Sequence, residues 1–105
     1  MILVRMVFQT QWGKSQDVAE DFKQGMEWMR RITGHTGRIR ILTDLSGPFN
    51  HVVQEIEVES LAEWERRRVT LFSNPEFQQG QANSELSFES GYVEFFTIEA
   101  ISDAP

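Results

Sequence analysis

The order of the predicted secondary-structure elements is the feature that most constrains the fold of this chain. Hydrophobic periodicity predicts strand, helix, strand, strand, helix and strand, once through, within 105 residues. Each predicted strand has one apolar and one polar face, so a single sheet needs helices on only one side. The sequence therefore predicts one α+β domain over residues 1–105. Its four-stranded antiparallel sheet carries both helices on one face.

Breaks in the hydrophobic patterns give the bounds of these elements. The predicted strands cover Ile2 to Gln9, Arg38 to Leu45, His51 to Glu59 and Tyr92 to Glu99. The first helix is predicted from Ser15 to about Thr33, because Gly34 is a typical residue to end a helix. The polar stretch from Gln78 to Ser90 is predicted to be a connection before the last strand.

The second helix carries sharper signals at both of its ends. Ser60-Leu61-Ala62-Glu63 has the sequence of a capping box and predicts its start. Asn74-Pro75 predicts its end and the start of a short further helix, because Asn caps helices and Pro suits the first helical position. Phe77 would anchor that short helix.

Composition disfavours several classes of function. The chain has no cysteine, which excludes disulfides and thiolate chemistry, and no histidine spacing indicates a metal site. The net charge of −6 disfavours binding to nucleic acid and anionic membranes. No apolar run is long enough for a membrane span, and the apolar N-terminus is too short for a signal peptide. We therefore expect a cytoplasmic protein without metal, membrane or nucleic-acid partners.

The polar faces of the strands form one candidate site. The face away from the helices would carry Arg5, Arg38, Arg40, His51, Glu55, Glu57 and Glu94. One interpretation is a solvated or dimer-facing surface on which opposite charges pair across strands. The other is a polar ligand site lined by Arg38, Arg40 and Glu55. The second histidine, His35, lies in a predicted turn, where we expect it to be exposed to solvent.

Large apolar side chains form the other candidate site, between helices and sheet. The residues that could line an apolar pocket there are Trp12, Phe22, Met26, Trp64, Phe72, Phe77 and Phe95. Each of them also fits a position in an ordinary core, so both interpretations remain open.

The segments Ser60-Leu61-Ala62-Glu63-Trp64 and Ser73-Asn74-Pro75-Glu76-Phe77, with the element order and length, resemble the dimeric α/β barrel superfamily. The nearest families are the NIPSNAP-like and antibiotic-biosynthesis-monooxygenase-like proteins. The resemblance covers nearly the whole chain. It implies a ferredoxin-like βαββαβ fold and a homodimer whose sheets pair face to face. It also implies a pocket between each sheet and its helices.

Some proteins of this superfamily degrade haem. Their pattern has an Asn in the first strand and a His after the Trp of the second helix. This chain has Gln9 at the end of its first strand, and no His follows Trp64. The resemblance therefore implies no haem, and we expect no cofactor.

Three functions fit these observations. The first is a NIPSNAP-like protein of undefined activity that binds a small, largely apolar ligand between sheet and helices. The second is a cofactor-independent monooxygenase acting on an electron-rich aromatic such as a quinol. Its candidate residues are His51 as base, Arg40 as anion holder and Trp64 as pocket wall. The third is a structural or interaction homodimer without a pocket. The sequence leaves open whether the protein is an enzyme.

Overall fold

The computed structural model describes residues 1–83 and 88–104 of the chain. Its strands are β1 (Ile2–Thr10), β2 (Ile39–Thr43), β3 (His51–Val58) and β4 (Phe88–Thr97). Its helices are α1 (Ser15–Thr33), α2 (Leu61–Phe72) and α3 (Pro75–Asn83). This order confirms the predicted succession of strands and helices.

The four strands form one sheet in the order β2-β3-β1-β4, and every neighbouring pair is antiparallel. This is the ferredoxin-like arrangement, in which the first and third strands occupy the centre. Helix α1 packs on β2 and β3, and α2 packs on β3 and on α1. The helices therefore cover the β2–β3 half of one face most closely.

The core lies between that half of the sheet and the helices. Val4 and Ile56, which are partners in the β1–β3 register, are 0% and 1% exposed. Met29 of α1, Trp64 of α2 and Phe77 of α3 are buried against the same cluster. Burial of each such side chain contributes about 1.5–3 kcal/mol, so this cluster holds all three helices on the sheet.

Local capping sets the N-termini of the last two helices as predicted. The Ser60 side chain accepts a hydrogen bond from the Glu63 backbone N–H at 3.1 Å, at the start of α2. The Asn74 side chain accepts one from the Phe77 backbone N–H at 3.1 Å, with Pro75 in the first helical position of α3. Each cap satisfies a backbone donor that the helix itself cannot pair.

The predicted connection from Gln78 to Ser90 is wrong at both of its ends. Helix α3 continues to Asn83 because Trp28 of α1 packs across Gly80, a tertiary contact that the polar sequence does not reveal. Residues 84–87 of the predicted connection lie outside the described residues.

Strand β4 begins at Phe88, earlier than predicted, and includes Gly91. Gly91 pairs with Phe8, and a Cβ atom at Gly91 would lie 2.8 Å from the Phe8 ring. The glycine therefore makes room for a neighbouring ring within the sheet and does not mark the start of the strand. Strand β2 is shorter than predicted and ends at Thr43.

Candidate functional site

A cavity of about 610 Å³ lies between the sheet and the three helices. The sheet contributes Met6, Phe8, Gln54, Ile56, Val93 and Phe95 to its walls. The cavity exists because the helices lie mainly over β2 and β3, which leaves the inner face of β4 uncovered. Phe95 on that face is 49% exposed, so β4 forms an accessible apolar wall.

The helical walls of the cavity are largely aromatic. The helices contribute Phe22, Gly25, Trp28, Met29, Trp64, Leu71, Phe72, Phe77 and Gly80, among others. The rings of Trp28 and Phe77 meet edge to face, with centroids 5.3 Å apart, and Phe72 meets Phe77 in the same way at 5.1 Å. Each such ring pair contributes about 0.5–1.5 kcal/mol beyond its buried area, so these walls hold a defined shape.

Gln54 is a polar side chain on the otherwise apolar inner face of β3. Its partners in register are Met6 on β1 and Ile41 on β2. Within the part of the chain that the structure describes, the Gln54 amide has no hydrogen-bond partner. It is partly exposed, and it lines the cavity. An amide in this position can both donate and accept a hydrogen bond inside the cavity.

The charged groups of the cavity lie at its mouth. Arg68 donates to Glu65 at 2.9 Å, and both side chains are about half exposed. Asp21 and Gln24 of α1 are exposed at the same rim. Because Glu65 offsets the charge of Arg68, the mouth offers no unpaired Arg68 cation to an anionic ligand.

Two helical glycines shape the cavity in opposite ways. A Cβ atom at Gly25 would meet nothing within 4 Å, so the middle of α1 leaves open space beside the cavity. A Cβ atom at Gly80 would overlap the Trp28 ring, so this glycine lets α3 approach α1 closely.

The structure separates the predicted apolar site residues into two groups. Phe22, Trp64, Phe72 and Phe77 line the cavity, and so does Phe95. Trp12 does not line it, because it is 81% exposed and meets Phe49 at a ring distance of 6.3 Å. Met26 of α1 does not line it either, and packs instead against the hydrophobic core.

The predicted catalytic residues His51 and Arg40 lie on the other face of the sheet. Arg40 pairs in register with Glu55, which is four positions along β3 from His51, and the structure does not bring the two together. Neither residue lines the cavity. Their side of the sheet therefore shares no surface with the cavity walls.

A row of alternating charges crosses that outer face. In strand order the row consists of Arg40, Glu55, Arg5 and Glu94. Glu55 is buried and bonds to Arg40, and its other oxygen lies 3.6 Å from Arg5 Nε. Arg5 also lies 3.7 Å from Glu94. The alternation satisfies the charges within the face, which favours the interpretation of a paired surface over an open anion site.

A second polar cluster is buried at the far end of α1, away from the cavity. The prediction that His35 is exposed is wrong: it is 2% exposed, because Glu63 of α2 and the end of α1 enclose it. Burial lowers the pKa of His35, and the nearby Arg30 and Arg67 guanidiniums lower it further, against the opposing effect of Glu63. The Glu63 carboxylate accepts a hydrogen bond from the Glu59 N–H at 2.6 Å, which lowers the pKa of Glu63.

Sequence reasoning missed Gln54, Trp28 and Gly25 as cavity residues. Gln54 interrupts an apolar series of alternate residues in β3, and that interruption was a usable signal. Trp28 directly precedes the core residue Met29 and lies outside the regular helical spacing of the apolar residues in this segment, so that spacing does not indicate it. Gly25 offers no side chain to detect.

The fold is shared with solved structures of low sequence identity. An uncharacterised NIPSNAP domain protein from Burkholderia xenovorans superposes with a TM-score of 0.81 at 18% identity, over 99% of this chain and 100% of that chain. A NIPSNAP family protein from Agrobacterium tumefaciens gives 0.81 at 20% identity, over 96% and 88%. A putative antibiotic biosynthesis monooxygenase from Deinococcus radiodurans gives 0.69 at 15% identity, over 100% of both chains.

This chain has the fold of the NIPSNAP and antibiotic-biosynthesis-monooxygenase-like proteins. No protein-family model matches the sequence, and no curated protein matches it. The shared fold confirms the predicted ferredoxin-like α+β architecture of the single chain. Across the described residues, no helix has the length and apolar character to cross a membrane. The same residues contain no group of three or more metal-ligating side chains placed to hold an ion.

Proposed function

We propose that the protein binds a small, largely apolar ligand in the cavity between its sheet and helices. The observation that carries this proposal is the cavity itself, with a volume of about 610 Å³ and walls built from aromatic rings. Ligand sites of drug-sized molecules have volumes of about 300–1,000 Å³ and mostly apolar linings. An ordinary close-packed core would leave no space of this size.

The three tryptophans allow a direct test of binding in the cavity. Trp28 and Trp64 line it, whereas Trp12 is exposed elsewhere. Menadione, an apolar aromatic quinone that quenches indole fluorescence on contact, is a suitable probe. We expect saturable quenching in the wild type and in Trp12→Phe, because the quenched rings lie in the cavity.

The Trp28→Phe and Trp64→Phe variants should each lose part of the saturable quenching. Collisions of free menadione with exposed Trp12 would give only a linear, non-saturating component. Quenching without saturation, or saturable quenching that disappears in Trp12→Phe alone, would refute binding in the cavity. Native mass spectrometry of the purified protein would then show whether a ligand is already retained.

A second candidate function is cofactor-independent oxygenation of a quinol. The apolar cavity supports it, since such a reaction needs a water-poor site and a substrate that supplies the electrons itself. The quinol would be oxidised to a hydroxyquinone: one oxygen atom of dioxygen would replace a ring hydrogen as a hydroxyl group, and the other would leave as water with the two quinol hydrogens. The test is oxygen uptake with menadiol above the rate without protein. An unchanged rate would leave ligand binding as the function.

We also propose that a second copy of the chain covers the outer face of the sheet. Tyr92 and Phe96 on this face are 55% and 47% exposed, next to the alternating charge row. A twofold axis that crosses the middle of the row would place each arginine opposite a carboxylate of the other copy, as a self-complementary interface requires. Light scattering should give a dimer for the wild type and for Phe49→Lys, and a monomer for Phe96→Lys. A monomeric wild type would refute this pairing.

A further inference from the structure

We infer that Gln54 is the recognition residue of the cavity, and that the ligand is an uncharged ring compound with a hydroxyl or carbonyl group that bonds to its amide. This inference rests on the proposed ligand-binding function and names the chemistry of that ligand.

The surroundings of Gln54 place its amide inside the cavity. The residues before and after it on the same face of β3, Val52 and Ile56, are 0% and 1% exposed. The partly exposed surface of Gln54 therefore faces the cavity and not the edge of the sheet. Its cross-strand neighbours, Met6 and Ile41, are apolar.

An amide in such a place needs a partner. A polar group that is removed from water without a hydrogen bond costs about 1–3 kcal/mol. Among the described residues none supplies a bond to Gln54, so its partly exposed amide is left to bond to water or to a ligand in the cavity. An apolar ligand without a polar group would displace water from the amide and leave it unpaired. A ligand with one suitably placed hydroxyl or carbonyl would satisfy it.

The charge at the mouth indicates that the ligand is neutral. Arg68 is a cation on the cavity wall, and its charge is offset by Glu65 at 2.9 Å. A carboxylate ligand would find no unpaired Arg68 cation at the mouth and would lose its hydration inside the apolar walls.

The test compares two ring compounds that differ only in the polar group. In 2-naphthol a hydroxyl takes the place of the methyl group of 2-methylnaphthalene, at nearly equal volume. Both affinities are measured by equilibrium dialysis for the wild type, Gln54→Met and Gln54→Leu. The control is Gln16→Met, the same change at an exposed glutamine of α1 that does not line the cavity.

We expect the affinity ratio of 2-naphthol to 2-methylnaphthalene to fall about tenfold in Gln54→Met and Gln54→Leu, because a site that hydrogen-bonds a hydroxyl discriminates against its absence. The ratio should stay unchanged in Gln16→Met. In the wild type, 2-naphthoate should bind more weakly than 2-naphthol.

The outcomes separate this inference from the proposed function. If the two neutral compounds bind and the Gln54 variants keep the wild-type ratio, the role of Gln54 is refuted while binding in the cavity stands. Tighter binding of 2-naphthoate than of 2-naphthol would refute the neutral ligand class. If neither neutral compound binds to the wild type or to any variant, cavity binding fails and this inference fails with it.

Discussion

The Nδ1 atom of His35 lies 3.5 Å from the Oε1 atom of Glu63, and both side chains are buried where the end of α1 meets the start of α2. Arg30 donates to the backbone oxygen of His35 at 2.9 Å, and Arg67 Nε lies 3.6 Å from Glu63. The loop after α1 therefore contacts the N-terminus of α2 through the titratable side chains of His35 and Glu63.

The buried contact between His35 and Glu63 leads us to predict that the free energy of unfolding falls as the pH drops below about 6.5, the usual pKa of histidine. Burial lowers the pKa of His35 in the folded protein, so the unfolded chain takes up the proton first. The free energy of unfolding therefore falls from about pH 6.5 down to the folded pKa. Glu63, whose folded pKa is also lowered, adds a further loss at more acidic pH. Urea unfolding at a series of pH values measures both effects.

The two histidines provide the control for this prediction. His35→Gln should flatten the pH dependence below about 6.5, because it removes the group that titrates. His51→Gln, at the partly exposed start of β3, should keep the wild-type slope. Equal slopes in the wild type and in His35→Gln would contradict the assignment.

The helical glycines Gly25 and Gly80 should respond in opposite ways to the same substitution. Gly25→Ala should raise the free energy of unfolding by about 0.5–1 kcal/mol, because alanine favours helix and its methyl group meets open space. Gly80→Ala should lower it, because overlap with Trp28 costs about 1–3 kcal/mol and outweighs the gain in helix propensity. Chemical denaturation of both variants measures the difference. A stabilised Gly80→Ala variant would mean that Trp28 does not pack on α3 as described.

The carboxylates Glu55 and Glu57 on β3 should differ in their contribution to stability. Glu55 is buried between Arg40 and Arg5, so Glu55→Gln should cost about 1–2 kcal/mol by leaving two guanidiniums without their carboxylate. Glu57 pairs at 3.4 Å with Arg38, which is mostly exposed, and Glu57→Gln should cost less than about 1 kcal/mol. Urea unfolding of the two variants measures both costs. Equal losses in the free energy of unfolding would show that the charge row does not make Glu55 more stabilising than Glu57.

Much of the fold could be predicted because it rests on local signals. The capping box at Ser60 and the Asn74-Pro75 pair each mark a helix start. In both cases the hydrogen bond that caps the helix joins residues only three positions apart in the chain. The alternation within the strands predicts the two faces of the sheet, whereas the ferredoxin-like arrangement of the strands was implied by the family resemblance.

The predictions that were wrong concern features that depend on contacts between segments distant in the chain. The extent of α3 depends on Trp28 packing across Gly80, and the place of Gly91 inside β4 depends on the Phe8 ring. The burial of His35 depends on Glu63, which lies 28 positions further along the chain. The position of Gln54 among apolar neighbours likewise becomes clear only from the strand register, which pairs it with Met6 and Ile41.

The open space at Gly25 leads to a final prediction about the cavity. A leucine at this position would extend from the middle of α1 into space that the cavity occupies, where the glycine places nothing within 4 Å. We expect Gly25→Leu to fold, because leucine favours helix, and to weaken menadione binding at least tenfold by filling the site. Gly25→Ala adds a single methyl group and should keep most of the affinity. Gln16→Leu, at an exposed position of α1 that does not line the cavity, controls for a change in the helix surface. Unchanged binding in a folded Gly25→Leu variant would place the ligand elsewhere in the molecule.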